Sequence, residues 1–431
     1  MIKRQSSVAR CLRSAARLIC AASVFVIVSA GAGGSLAFAE ESARNIPHTG
    51  IENGKVWLDA RYRYEFIDQA NKPKNANAST LRARAGFETG FFYGFRAGLE
   101  GEGVVELGPD DFNNTINGNS DYPVVADVES AEVNQAYLES HHIPGVVILG
   151  GRYRKNLDNM RYVGSVAWRQ NDQTFDGATA TITAVPGVTG FYGYIGNVNR
   201  IVSDRSPAGN YGSNVQLFHL ESDPLPFGTL TGYTYLMDIY DAPLQSNASY
   251  GAFLKGKQSL GAGLTFNYRL EYARQTDYGN QPVDYAVNYV RVAPGLSWGG
   301  FTTTLIYELL GSDDGVAAFQ TPLATGHVFN GFADIFLTTP VTGLQDYYVD
   351  VRYKLPKTDG KLGFLNGLLM IGQYHEFRSD VAGLDYGSEF DFYALLPLRD
   401  GFYTQFKYAN YQADDYSTDT EKFIFGLGYK Y

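Results

Sequence analysis

Side chains in this sequence alternate between apolar and polar with a period of two, over runs longer than ten residues. Residues 56–66 set Val56, Leu58, Ala60, Tyr62, Tyr64 and Phe66 against Asp59, Arg61, Arg63 and Glu65. Residues 346–355 set Tyr347, Val349, Val351, Tyr353 and Leu355 against Asp346, Asp350, Arg352 and Lys354, and residues 260–272 read as one more such strand. Successive side chains of a strand point to opposite faces, so each run has one apolar and one charged face. A soluble sandwich hides the apolar face; a membrane barrel turns it to lipid. Soluble strands run to about 5–6 residues, whereas a tilted membrane crossing takes about 9–11. Run length selects the membrane barrel. Aromatic groups near run ends (Tyr62, Tyr64, Phe66; Phe91, Phe92, Tyr93; Tyr347, Tyr348) fit the girdles of such a barrel.

The fold class expected is therefore all-β, a transmembrane antiparallel β-barrel. About 17 runs bounded by Gly, Pro, Asn or Asp read as strands. Bacterial single-chain barrels have even strand numbers, which favours 18 strands, with 16 as the alternative and residues 327–339 as the place for the uncounted strand. Irregular stretches at 106–128, 203–213, 241–256 and 311–326 are expected as outer loops. The last strand sets Phe423, Phe425, Leu427, Tyr429 and Tyr431 against Lys422, Ile424, Gly426, Gly428 and Lys430. Its aromatic end is similar to the signal read by the outer-membrane assembly machinery.

Residues 1–39 read as a cleaved signal peptide: five basic residues without an acid, the apolar run LICAASVFVIVSA, then Ala37-Phe38-Ala39. Residues 40–431 would form one barrel in the bacterial outer membrane, in contact with its lipid. Both cysteines fall in the signal, so no disulfide or thiol chemistry is expected of the rest. Removing the five basic residues takes the formal charge from -10 to about -15, which argues against nucleic acid as a partner.

Register decides the role of the arginines, because an Arg facing lipid at the midplane costs about 2–4 kcal/mol. Arg61, Arg63, Arg82, Arg84, Arg269 and Arg352 sit opposite apolar residues and are expected to face the lumen. Basic residues also gather in 150–177, GGRYRKNLDNMRYVGSVAWRQNDQTFDG, where Arg152, Arg154, Lys155, Arg161 and Arg169 meet only Asp158, Asp172 and Asp176. Such charges commonly pair with acids of the next strand; gathered at one level, they favour anions in a pore, and the guanidinium fork matches a carboxylate. No GxSxG or HExxH occurs, so neither an enzyme nor a cofactor is expected. Adjacent His141 and His142 point to opposite faces and make a poor metal site.

The stretch 150–177, with VNQAYLE at 133–139 and GHVFNGFADIFLTTPVTGLQDYYVDVRY at 326–353, resembles the alginate export family of outer-membrane porins. The resemblance implies a wide, 18-stranded barrel with an arginine-rich constriction that passes an acidic polysaccharide. Carried over by motif, Arg152, Arg161 and Arg169 would line the pore, Asp176 and Asn134 would be polar partners, and Arg352 would face them. The expectation is passive, selective passage of an anionic saccharide of uronate type. A general or differently specific porin is the alternative, and a barrel hydrolase a more distant one.

Overall fold

The computed structural model describes residues 53–356, 360 and 363–431; the expected signal peptide lies outside them. Eighteen strands form one sheet. They are β1 (Lys55–Gln69), β2 (Ala76–Glu88), β3 (Phe95–Glu106), β4 (Ser130–Ile143), β5 (Val146–Tyr153) and β6 (Thr174–Ile182). Next come β7 (Val188–Asn199), β8 (Asn210–Ser222), β9 (Thr229–Ile239), β10 (Asn247–Gly261), β11 (Leu264–Thr276) and β12 (Ala286–Trp298). The last six are β13 (Phe301–Leu310), β14 (Leu344–Lys354), β15 (Leu369–Arg378), β16 (Asp385–Pro397), β17 (Phe402–Ala413) and β18 (Thr420–Lys430). Each pairs antiparallel with its neighbours in sequence, and β18 pairs with β1 to close the sheet. Closure removes the unpaired strand edge that a bilayer does not tolerate.

Alternation along the strands sorts side chains as the sequence implies. Val56, Leu58, Leu138, Leu270, Leu305, Tyr347, Phe425 and Leu427 are exposed on the outside, while Arg61, Arg63, Arg82, Arg84 and Asp346 are buried on the inside. Tyr348, expected in the girdle, is the exception: it points inward and accepts a hydrogen bond from Arg291 Nη2 at 2.8 Å. Phe227, Trp298, Phe301 and Phe402 ring the end with the short turns, where the tilted rings of Phe402 and Tyr429 meet with centres 4.8 Å apart. The opposite end carries the long connections 107–129, 154–173 and 311–343.

Several boundaries differ from the sequence reading, among them 210–213, expected as loop but part of β8. The run 260–272 is not one strand but the end of β10, a turn and the start of β11. Ala262 and Gly263 adopt φ of 49° and 77°, the two positive angles that a two-residue hairpin requires. The apolar alternation happens to continue across this turn and hides it. The eighteenth strand comes from that division; residues 327–339 are loop, entered by a short 3-10 turn at Gly326–Val328. Likewise 247–256, expected as loop, belongs to β10.

The upper lumen is not open water. Tyr162, Val163, Phe319, Leu323, Phe332 and Phe336, from the connections 154–173 and 311–343, pack with Tyr233, Tyr235, Tyr289, Phe377 and Tyr411 of the wall in one buried apolar cluster. Two long loops thus fold into the barrel and fill part of it.

Candidate functional site: the loop-crossed lumen

The segment 154–173 leaves β5 and crosses the barrel. Positive φ at Asp158 (51°), Met160 (68°) and Val166 (51°) turns it inward. Gly164 lets it meet the other loop, since a β-carbon there would collide with Thr325 Oγ1. Gln173 Nε2 then donates to Leu323 O at 3.1 Å. Its far end is held by the arginines of β1 and β2. Arg61 donates from Nε to Gln170 Oε1 (3.0 Å) and from Nη1 to Ala167 O (3.1 Å), and also to Arg169 O. Arg63 donates to Trp168 O at 2.7 Å and to Asp127 Oδ2 at 2.6 Å. Arg84 bridges Glu102 and Asp172, the latter at 2.5 Å, and Arg82 pairs with Asp59. Across the lumen, Arg161 reaches Asn330 Oδ1 at 3.0 Å and Glu308 Oε2 at 3.3 Å on β13.

These arginines face inward as expected, but they are sealed rather than open to the pore. Arg61, Arg63, Arg82, Arg84, Arg161 and Arg169 are all buried. Their fork of donors matches loop carbonyls and carboxylates, and a buried guanidinium needs such partners. Asn134 is also inward and buried, donating to Glu100 Oε1 at 2.7 Å. Arg154 binds the same carboxylate (2.6 Å) and Asp172 (2.5 Å), keeping about a quarter of its side chain exposed (26%).

Arg152 and Asp176 are corrections. Arg152 shares its face of β5 with Ile148 and with Gly150, which opposes the exposed Leu138. It therefore points out of the barrel, beside the long-loop rim, while Tyr153 points in. Asp176 lies directly opposite and accepts from Arg152 Nε and Nη2 at 2.7 and 2.9 Å, with Asn199 Nδ2 at 3.0 Å. The basic stretch is not a unit, because strand parity splits its members between two faces. Arg352 also has a different partner: it grips Asp350 on its own strand at 2.7 and 3.1 Å, with 54% of its side chain exposed.

The second inward loop is held by acids. Asn330 Nδ2 donates to Glu308 Oε2 (2.8 Å) and Asp346 Oδ2 (3.0 Å). The backbone N–H groups of Phe332 and Ala333 donate to Asp391 (3.0 Å) and Glu389 (2.6 Å) of β16. Where the loops meet, Trp168 stacks on His327 with ring centres 3.4 Å apart. Asp334 binds His327 Nδ1 and Lys422 Nζ, each at 2.8 Å. Above this contact opens a cavity of about 590 Å³, lined by Trp168, Arg169, His327, Asp334, Lys422 and Arg200 among others.

Loop charges respond to this setting. Burial works against ionisation of Asp127, yet Arg63 and Arg169 hold its carboxyl below the usual range. Burial opposes Asp172 likewise, and Arg84 and Arg154 prevail. Burial, with Lys407 beside it, pushes His327 down to about 3, so the ring is neutral and stacks without a charge to solvate. Sequence reasoning missed Trp168, His327, Asp334, Lys407 and Lys422 as site residues. The two lysines carried a signal, because Lys407 sits at an inward position between Phe406 and Tyr408, and Lys422 at one beside Phe423.

No family model matches the chain, and no curated protein matches it. Solved structures do. Acinetobacter baumannii OccAB4 aligns over 89% of this chain and 99% of its own, at 14% identity and a TM-score of 0.69. Pseudomonas aeruginosa OpdK with vanillate aligns over 89% and 99%, at 16% and 0.67. Pseudomonas aeruginosa OccK2 (OpdF), in complex with glucuronate, aligns over 88% and 98%, at 16% and 0.66. The fold is that of an outer-membrane porin. An 18-stranded barrel with an apolar outer belt fits a bacterial outer membrane, and these structural neighbours are channels rather than enzymes. The solved porins do not single out the alginate export family among those that use this barrel.

Proposed function

We propose that this protein is a passive, selective outer-membrane channel for anionic solutes bearing a carboxylate, small uronate-type saccharides first among them. The observation that carries this reading is the gathering of Arg61, Arg63, Arg82 and Arg84 on one inner wall, with Arg169 of the crossing loop against them, at the level where two loops narrow the lumen. Ion pairs fix Arg63, Arg82, Arg84 and Arg169, and neutral loop oxygens fix Arg61, so the field does not have to be assembled when a solute arrives. Arg154 and Arg352, both with exposed side chain, extend the basic surface, while Asp172 and Asn134 keep anion binding shallow. The neighbours solved with vanillate and with glucuronate, both carboxylates, support the same class.

The partly filled lumen favours a monosaccharide or short oligomer over an alginate-like polymer. A differently specific porin is the second reading, favoured by Glu308, Asp346, Glu389 and Asp391 on the facing wall. In planar bilayers under a salt gradient, the first reading expects a reversal potential of anionic sign and current block by glucuronate. Cation preference with no block overturns it. The aromatic-rich β18 is the segment proposed to engage the assembly machinery.

A further inference from the structure

Lys407 of β17 stands apart from the other inward cations. Arg63, Arg82, Arg84 and Arg169 each have a carboxylate within ion-pair distance. Among the described residues Lys407 has none: its Nζ lies 2.6 Å from the neutral His327 Nε2. It is otherwise surrounded by rings, 4.9 Å from the centre of Phe332, 5.1 Å from Trp168 and 5.4 Å from Tyr393. Arg61 is in the same condition, since among the described residues its partners are neutral oxygens of Gln170, Ala167 and Arg169. A partly buried ammonium without an acid is costly, and evolution of a porin wall offers many positions for one.

On β18 the wall between these two cations carries no charged side chain. On β18, Gly428 opposes Arg61 and Tyr403, and Gly426 opposes Arg63 and Gln405. A β-carbon on Gly428 would strike the Tyr403 ring, and one on Gly426 would meet Gln405 Cγ at 2.8 Å. The inner face of β18 is thus a floor on which Tyr403 and Gln405 lie flat, flanked by Arg61 on β1 and Lys407 on β17. Lys407 stands one inward position, about 7 Å, nearer the short turns than the level of Lys422, and so on the far side of the Trp168–His327 stack from the cavity.

We propose that Lys407 forms an anion subsite on the short-turn side of the Trp168–His327 contact, where the sealed Arg61 adds charge without touching the solute, and that the carboxylate of a passing solute supplies the missing counter-ion. The aromatic rings around Lys407 would take the apolar face of a sugar or an aromatic acid while Nζ holds the carboxylate. This rests on the anion-channel reading above and adds a residue and a location to it. The vestibule cations, Lys422 and Arg169, are already neutralised by Asp334; the subsite below them is not.

The test uses the full-length channel in planar bilayers, with chloride against potassium selectivity and glucuronate block as readouts. Lys407→Gln keeps a donor for His327 and removes the charge; Lys407→Arg keeps the charge. The expected result is a several-fold fall in anion preference and a tenfold weaker glucuronate block for Lys407→Gln, with Lys407→Arg near the parent. Equal selectivity and equal block in Lys407→Gln overturn the subsite while leaving the channel reading intact. An unsubstituted channel that prefers cations overturns both. Heat-modified migration on gels reports folding: if both variants fold as the parent does, yet Lys407→Arg loses anion preference and glucuronate block as far as Lys407→Gln does, Lys407 has a structural role and the proposal is overturned.

Discussion

At the residue scale, whether an arginine matters to conduction is decided by its face and its partners, more than by its place in a basic stretch. Arg63 is buried between Asp127 and Glu65, at 2.6 and 3.1 Å. Removing one member of such a buried set leaves charge uncompensated and costs about 3–5 kcal/mol, so Arg63→Ala is expected to release both the 107–129 and the 154–173 loops. Arg152, outside the wall, is expected to behave oppositely: Arg152→Ser leaves ion selectivity within experimental scatter. A bilayer measurement on both variants checks the pair, and a large selectivity change in Arg152→Ser would place its side chain in the lumen after all. His327 gives a second prediction. Its folded value, about 3, lies below the ordinary value of about 6.5. The stabilisation from its neutral form is therefore complete above about pH 6.5 and lost as pH falls towards 3. In a Trp57→Phe, Trp298→Phe background, Trp168 emission should be flat from about pH 8 to 5 and change only in stronger acid; a step centred near 6.5 would mean the ring is solvated.

At the scale of elements, the strands were legible and the loops were not. A strand's alternation follows from local geometry, and β1, β2, β14 and β18 could be assigned face by face from Arg61, Arg84, Asp350 or Phe425 alone. The β10–β11 turn escaped because Ala262 gives no composition signal for a positive φ. The inward course of 154–173 escaped for a different reason: Arg161 meets Glu308 and Asn330 far away in sequence, a contact that no window of residues contains. The loop's tip is fastened there and by Tyr162, whose hydroxyl accepts from Tyr233 at 2.8 Å and whose ring lies 5.0 Å from that of Tyr233. Deleting these anchors in Arg161→Ala/Tyr162→Ala, with the β1 and β2 arginines untouched, should let the crossing segment swing aside. Single-channel conductance is expected to rise at least about twofold, with larger current noise, as the apolar plug loosens. Unchanged conductance would mean that 154–173 does not bound the conducting path.

At the scale of the whole molecule, strand number and lumen size are separate quantities. Eighteen strands can enclose a wide aqueous channel, but here the long-loop end of the interior, from the β6–β13 side round to Phe377 of β15 and Tyr411 of β17, is taken up by the apolar cluster of Tyr162, Phe319, Leu323 and their neighbours. What remains for a solute is bounded by the charged walls of β1–β3 and β13–β18 and by a cavity of about 590 Å³ at the long-loop end. Pockets of about 300–1,000 Å³ hold single small molecules; a hydrated polymer would have to displace the docked loops, breaking the buried pairs of Arg63, Arg84 and Arg161 together. The barrel is thus expected to pass a monomeric uronate and exclude long chains. Proteoliposome swelling checks this directly: glucuronate should enter at a rate many-fold above that of a uronate tetramer, and the Arg161→Ala/Tyr162→Ala channel should narrow the gap. Equal rates for monomer and tetramer in the parent channel would mean that the loops move out of the lumen during transport, and that the polymer reading should replace the small-solute one.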